Sequence, residues 1–145
     1  MKMSLPSTIQ FSVEIPVYPE RVYRAWLDGY EHSRFTGKKA EIEPRPAGLF
    51  TSLDKSVSGR LLRLVPHTLI EQTWQVHDLP LGEDSRIILR LQPTCTGCEL
   101  SLFHYGVPYS LNTMMLSWWE TNYLRPLRLY FEELIGDYVA DMGDG

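Results

Sequence analysis

His104 is the histidine best placed for chemistry. It alternates with Leu100 and Leu102 in a strand-like run, so the three side chains share one face. A histidine on an apolar face can orient a ligand or serve as a general base. It can equally be a hydrogen-bonded structural group at a strand end, and with no partner carboxylate identifiable this is the stronger reading. Gln72 sits between Ile70 and Trp74 on the same parity. A buried amide needs partners, so it either meets a ligand or bonds a neighbouring strand. Trp74, Met115, Trp119 and Tyr123 offer rings and a thioether with few polar edges. They form either the wall of a cavity for a partly polar ligand or plain core.

The remaining reactive types carry less. Cys95-Thr96-Gly97-Cys98 is a C-x-x-C, but it falls in a predicted hairpin turn rather than at a helix N-terminus, and it lacks a second ligand pair. A reversible disulfide across the turn is compatible with that spacing. His67 and His77 fit no standard zinc pattern, so no metal is expected. The carboxylates make no i, i+3 or i, i+4 pair on an apolar face, and Glu132 and Glu133 read as solubilising surface. Glycine-rich phosphate loops, G-x-S-x-G and H-E-x-x-H are absent.

Thr8 to Ile15 alternates with period two and ends at Pro16 and Pro19. Glu20 to Leu27 repeats Val22, Tyr23, Trp26 and Leu27 at helical spacing, and a short turn or helix over Tyr30 to Phe35 follows. From Ala40 to Tyr105 the pattern is all strand: 40–43, 48–53, 57–65, 69–76, 86–91 and 99–105, joined by short connections rich in Pro, Gly and Asp. Ser110 to Ile135 is helical. Leu111, Met115, Trp119 and Tyr123 recur at i+4, and Leu116, Leu127, Tyr130, Phe131 and Leu134 extend the apolar side. Pro126 should kink or bend this helix, and Gly136 should stop it. About 25 helical residues span close to 38 Å, enough to cross the concave face of a bent antiparallel sheet.

Composition sets the outer limits. The chain has 145 residues, 43% hydrophobic and 22% charged, which suits one folded domain over 1–145, with a core at about 8–135 and an acidic flexible tail at 136–145. Net charge is −4 but unevenly spread: residues 21–63 carry nine Lys/Arg against five Asp/Glu, and residues 64–145 four against eleven. The basic segment is mild and interleaved with acids, which argues against nucleic-acid binding. The asymmetry could instead serve a charged protein partner. With no long apolar run and no signal-like start, membrane insertion is not expected and a cytoplasmic location follows. Nine of seventeen aromatic residues lie between Phe103 and Tyr138. Trp118, about 100° round the helix from Trp119, would mark a pocket mouth or a dimer contact if exposed.

Six segments in order carry a family resemblance. They are Val13-Glu14-Ile15-Pro16 with Pro19-Glu20-Arg21-Val22-Tyr23-Arg24-Ala25-Trp26; Phe35-Thr36-Gly37; Ala47-Gly48-Leu49-Phe50; Val57-Ser58-Gly59-Arg60; Leu64-Val65-Pro66 leading to Ile70-Glu71-Gln72-Thr73-Trp74; and Leu100 to Pro108 followed by Trp119-Glu120 and Tyr123-Leu124. The pattern resembles the START-like helix-grip superfamily, also called SRPBCC or Bet v1-like, and within it the activator of Hsp90 ATPase homologue family. Ser33-Arg34-Phe35 stands where many members carry a Trp-Trp pair. The resemblance implies an α+β fold, a curved antiparallel sheet of six to seven strands wrapped on a long C-terminal helix. It implies a non-catalytic domain that binds a small hydrophobic or amphipathic ligand in a central cavity, or a co-chaperone-like module. No cofactor is expected, and a monomer or homodimer is expected on general grounds, since symmetric dimers are common. The expected lining is Trp26, Phe50, Gln72, Trp74, His104, Met115, Trp119 and Tyr123. Two other readings are a cyclase- or hydratase-type enzyme using His104, and a protein–protein domain without ligand.

Overall fold

A computed structural model describes the backbone of residues 6–143. The elements are β1 (Pro6–Ile15), α1 (Pro19–Leu27), α2 (Gly29–Thr36), β2 (Glu41–Ile42), β3 (Leu49–Ser52), β4 (Val57–Val65), β5 (Leu69–Thr73), β6 (Gln75–Val76), β7 (Arg86–Thr94) and β8 (Gly97–Pro108). A short 3₁₀ turn, Tyr109–Leu111, leads into α3 (Asn112–Trp119), a π-turn (Glu120–Leu124) and α4 (Arg125–Gly143). Proline at the start of α1 costs no hydrogen bond there, and Asp28 caps α2 by accepting from the Glu31 amide.

The strands form one antiparallel sheet in the order β1-β8-β7-β5-β4-β3-β2, with β6 beside β4. The long helix lies over one face, and its inward residues Met115, Trp119, Tyr123, Leu127 and Phe131 are fully buried. The helix-grip architecture expected from the sequence is therefore present. Strand parity holds in β8, where Cys98, Leu100, Leu102 and His104 all face the core.

Three local expectations change, and Pro126 gains a local explanation. The run 69–76 is not one strand: the ladder breaks at Trp74, whose amide bonds Ser85 O, while Arg60 N turns to the Thr73 hydroxyl. β6 then continues along β4 only. Pro126 is accommodated by the π-turn just before it, where Arg125 N reaches back to Glu120 O. The wider turn relieves the clash that proline makes with the carbonyl four residues earlier. Leu116 is 43% exposed rather than on the gripping side, since it lies 100° round from Met115. Gly136 does not stop the helix, which runs on to Gly143: a glycine stop needs a left-handed backbone, and among the described glycines only Gly37, Gly97 and Gly106 have positive φ.

β4 belongs to both halves of the sheet, and Gly59 lets it do so. A Cβ at Gly59 would collide with Thr73 O and stand 2.7 Å from Phe50 Cε1. Gly59→Ala should therefore lower unfolding free energy by about 2 kcal/mol, the range of core overpacking. Urea unfolding of the two proteins measures this, and an unchanged midpoint would show that the close approach is not needed.

Candidate functional site

The eight residues expected to line a cavity come from six places in the chain: α1 (Trp26), β3 (Phe50), β5 and its end (Gln72, Trp74), β8 (His104), α3 (Met115, Trp119) and the π-turn (Tyr123). All eight are buried. The rings meet directly: Trp74 lies 4.8 Å from Trp119, 5.4 Å from Tyr123 and 5.5 Å from Phe50 between centroids, and Trp26 lies 5.1 Å from Tyr123. They fill the space between sheet and helix as described.

Their polar edges are paired to one another. Trp26 Nε1 donates to Gln72 Oε1 at 2.8 Å. Trp119 Nε1 donates to His104 Nδ1 at 3.0 Å, which leaves the His104 proton on Nε2, 2.8 Å from Ser85 Oγ. His32 Nδ1 faces the Trp26 carbonyl at 2.7 Å and must donate to it. Its Nε2 therefore accepts from the Tyr123 hydroxyl at 2.9 Å, and Ser52 Oγ, 2.7 Å from that hydroxyl, supplies the second proton. His32, Ser52 and Ser85 were not among the expected site residues. Ser52 and Ser85 continue the inward parity of Phe50 and Ile87, and His32 stands one helical turn before Phe35, so their positions were open to the same periodicity argument.

One atom stands outside this pairing. Trp74 Nε1 is buried and has no hydrogen-bond partner among the described residues. Arg86 Nη1 is likewise unpaired by strict geometry, but it lies 3.8 Å from the Glu71 carboxylate and its guanidinium covers the Tyr105 ring. Trp118, half-buried, packs edge-on against Trp74 at 6.2 Å and against Trp119 at 5.1 Å.

The clefts described lie at the surface. A cleft of about 430 Å³ separates α1 from the β4–β5 turn, and one of about 400 Å³ lies beside Pro16 and Cys95. Of the expected lining set only Phe50 touches one of the described clefts, of about 250 Å³. Cys95 is exposed and Cys98 buried across the β7–β8 hairpin; both are free thiols, and burial pushes Cys98 up to about 11, away from thiolate reactivity. Among the described residues no His/Cys/Asp/Glu group could hold a metal, and no helix is long and apolar enough to cross a membrane.

The sequence profile of the family described as Activator of Hsp90 ATPase homolog 1-like protein matches residues 16–132. Among solved structures, a protein from Chromobacterium violaceum is 27% identical, with a TM-score of 0.69 over 86% of this chain and 96% of that one. An Hsp90 activator from Plasmodium falciparum is 21% identical, with a TM-score of 0.68 over 93% and 97%. CalU16 from Micromonospora echinospora is 22% identical, with a TM-score of 0.70 over 96% and 83%. A search of curated protein sequences finds no match.

Burial lowers both interior histidines from 6.5 to about 4, and the carbonyl of Trp26 offsets this only partly for His32. Both are neutral at pH 7, with each ring nitrogen occupied. The unfolded chain takes up protons near 6.5 that the folded chain refuses until about 4, so stability falls as pH drops through that window and is level above it. Each histidine contributes on the order of 3 kcal/mol of this loss. Urea unfolding between pH 7.5 and 4 should show the slope, and His104→Gln should remove about half of it. A flat profile would contradict the neutral buried pair.

Proposed function

The chain belongs to the activator of Hsp90 ATPase homolog 1-like family, and within it we propose a non-catalytic domain that binds one small, uncharged, mostly apolar ligand beside Trp74. The observation behind this reading is the Trp74 Nε1–H, the interior donor left without an acceptor when its neighbours are paired. A buried unpaired N–H costs about 1–3 kcal/mol, and a ligand carbonyl, ether or hydroxyl oxygen would recover it. Among the described residues the buried polar ones are His32, Ser52, Gln72, Ser85 and His104, with no Asp, Glu, Lys or Arg, so a charged ligand would find no buried counter-charge.

The rings are in mutual contact, so a ligand enters by displacing one of them. Trp118 is the ring suited to this: it is half-buried, stands edge-on to Trp74, and lies in the last turn of α3 before the π-turn. Acid–base catalysis by His104 is disfavoured because Trp119 occupies its lone pair and Ser85 its proton. A chaperone-directed role draws on likeness of fold to the Plasmodium falciparum protein, which supplies no residue for it.

Native mass spectrometry of freshly purified protein should reveal a co-purified species below about 500 Da. Trp74→Phe keeps the ring and removes the donor. It should cost tenfold or more in affinity for that species while the far-UV spectrum is unchanged. Equal binding by Trp74→Phe, or a bare chain that takes up no uncharged acceptor in a ligand screen, would overturn the reading.

A further inference from the structure

The β4–β5 connection contains an unexpected residue. Thr68 N donates to Val65 O at 3.0 Å, Pro66 is second in the turn, and His67, third, has φ of 64°. A type II turn wants glycine or asparagine at that place, because a positive φ crowds any larger side chain. Histidine there gives up turn stability and holds an exposed imidazole in place. The ring stands edge-on to Tyr23 at 5.6 Å, with the planes 85° apart.

That pair is one wall of the 430 Å³ cleft, of a size that suits a small ligand. Leu27, 8% exposed, and Pro44 add apolar surface. Two further groups face the same space from α1. The Arg24 guanidinium and the Glu20 carboxylate are exposed, and neither has a side-chain partner among the described residues. Asp28, also on the rim, already accepts from the Glu31 amide. The cleft thus presents an aromatic and aliphatic wall, one unpaired cation, the unpaired Glu20 carboxylate and, at the rim, the Asp28 carboxylate that caps α2.

We propose that this cleft, separate from the interior beside Trp74, binds a small aromatic zwitterion. The aromatic body packs on Tyr23, His67 and Pro44, the carboxylate pairs with Arg24, and the ammonium pairs with Glu20. Binding here is independent of the interior ligand, since Tyr23, Arg24 and His67 take no part in the buried network. His67 is one of five described non-glycine residues with positive φ, and of these it alone lines the cleft, where its ring packs on Tyr23.

Three probes separate the contributions: L-tryptophan, its amine tryptamine, and its acid indole-3-propionate. Each is titrated into ¹⁵N-labelled full-length protein while the amide signals of Tyr23, Arg24, His67 and Thr68 are followed. Tryptophan should bind at least threefold tighter than either single-charge analogue. Arg24→Gln should weaken tryptophan and indole-3-propionate but not tryptamine, and Glu20→Gln should weaken tryptophan and tryptamine but not the acid. His67→Gly should raise Tm by about 2 °C, as expected for relief of one strained residue, and weaken all three probes. No titrating signal in the cleft with any probe would overturn the proposal, as would affinities unchanged in Arg24→Gln and His67→Gly.

Discussion

A ring that carries an N–H or O–H is costly to bury unless that group is answered, and this cost organises the interior. Three of the largest buried side chains are tryptophans and one is a tyrosine. Each brings apolar area that stabilises the fold and a polar edge that would destabilise it if left alone. The partners for these edges are themselves buried: Gln72 for Trp26, His104 for Trp119, His32 and Ser52 for Tyr123. Because each partner comes from a different element, the same bonds fix how α1, α2, the sheet and the long helix sit against one another. Burial holds the two histidines neutral, and which neighbour donates and which accepts sets them in opposite tautomers.

Much of the fold was legible because two periods dominate the sequence. β4 begins and ends at Val57 and Val65, where the pattern placed it, and the inward parity of Leu100, Leu102 and His104 in β8 follows from alternation alone. Helical spacing placed Met115, Trp119 and Tyr123 on one face. What stayed hidden depends on tertiary partners. The Tyr123 hydroxyl meets His32, 91 residues away, and Ser52, 71 away. No local pattern records such a pairing. The break at Trp74 is of the same kind, since it arises where β4 changes partners. Gly136 misleads because a glycine's freedom to take a left-handed backbone is permission rather than instruction.

The interior and the outer cleft obey different economies. In the interior, polar groups are few, neutral and paired, so the unpaired Trp74 edge stands out. At the cleft between α1 and the β4–β5 turn, charges are exposed and solvated, and the informative departure is conformational: a histidine where the turn favours glycine. Both are departures from a local rule, although left-handed backbone also occurs at Ala47, Leu53, Asp54 and Lys55.

The π-turn carries a consequence for the phase of the helix. A straight α-helix drifts about 40° with every four residues, so the row from Met115 through Trp119 to Tyr123 would slide off the sheet. An i→i+5 turn underwinds the backbone and cancels that drift, which keeps Tyr123 and, beyond Pro126, Leu127 and Phe131 facing inward. The segment Glu120–Leu124 therefore acts as a one-residue insertion that α4 depends on for its orientation. Excising a residue there would restore regular α-geometry and improve local hydrogen bonding, yet it would turn the whole of α4 by about 100° and aim charged side chains at the core. The irregular turn is the element that lets two regular helices share one face.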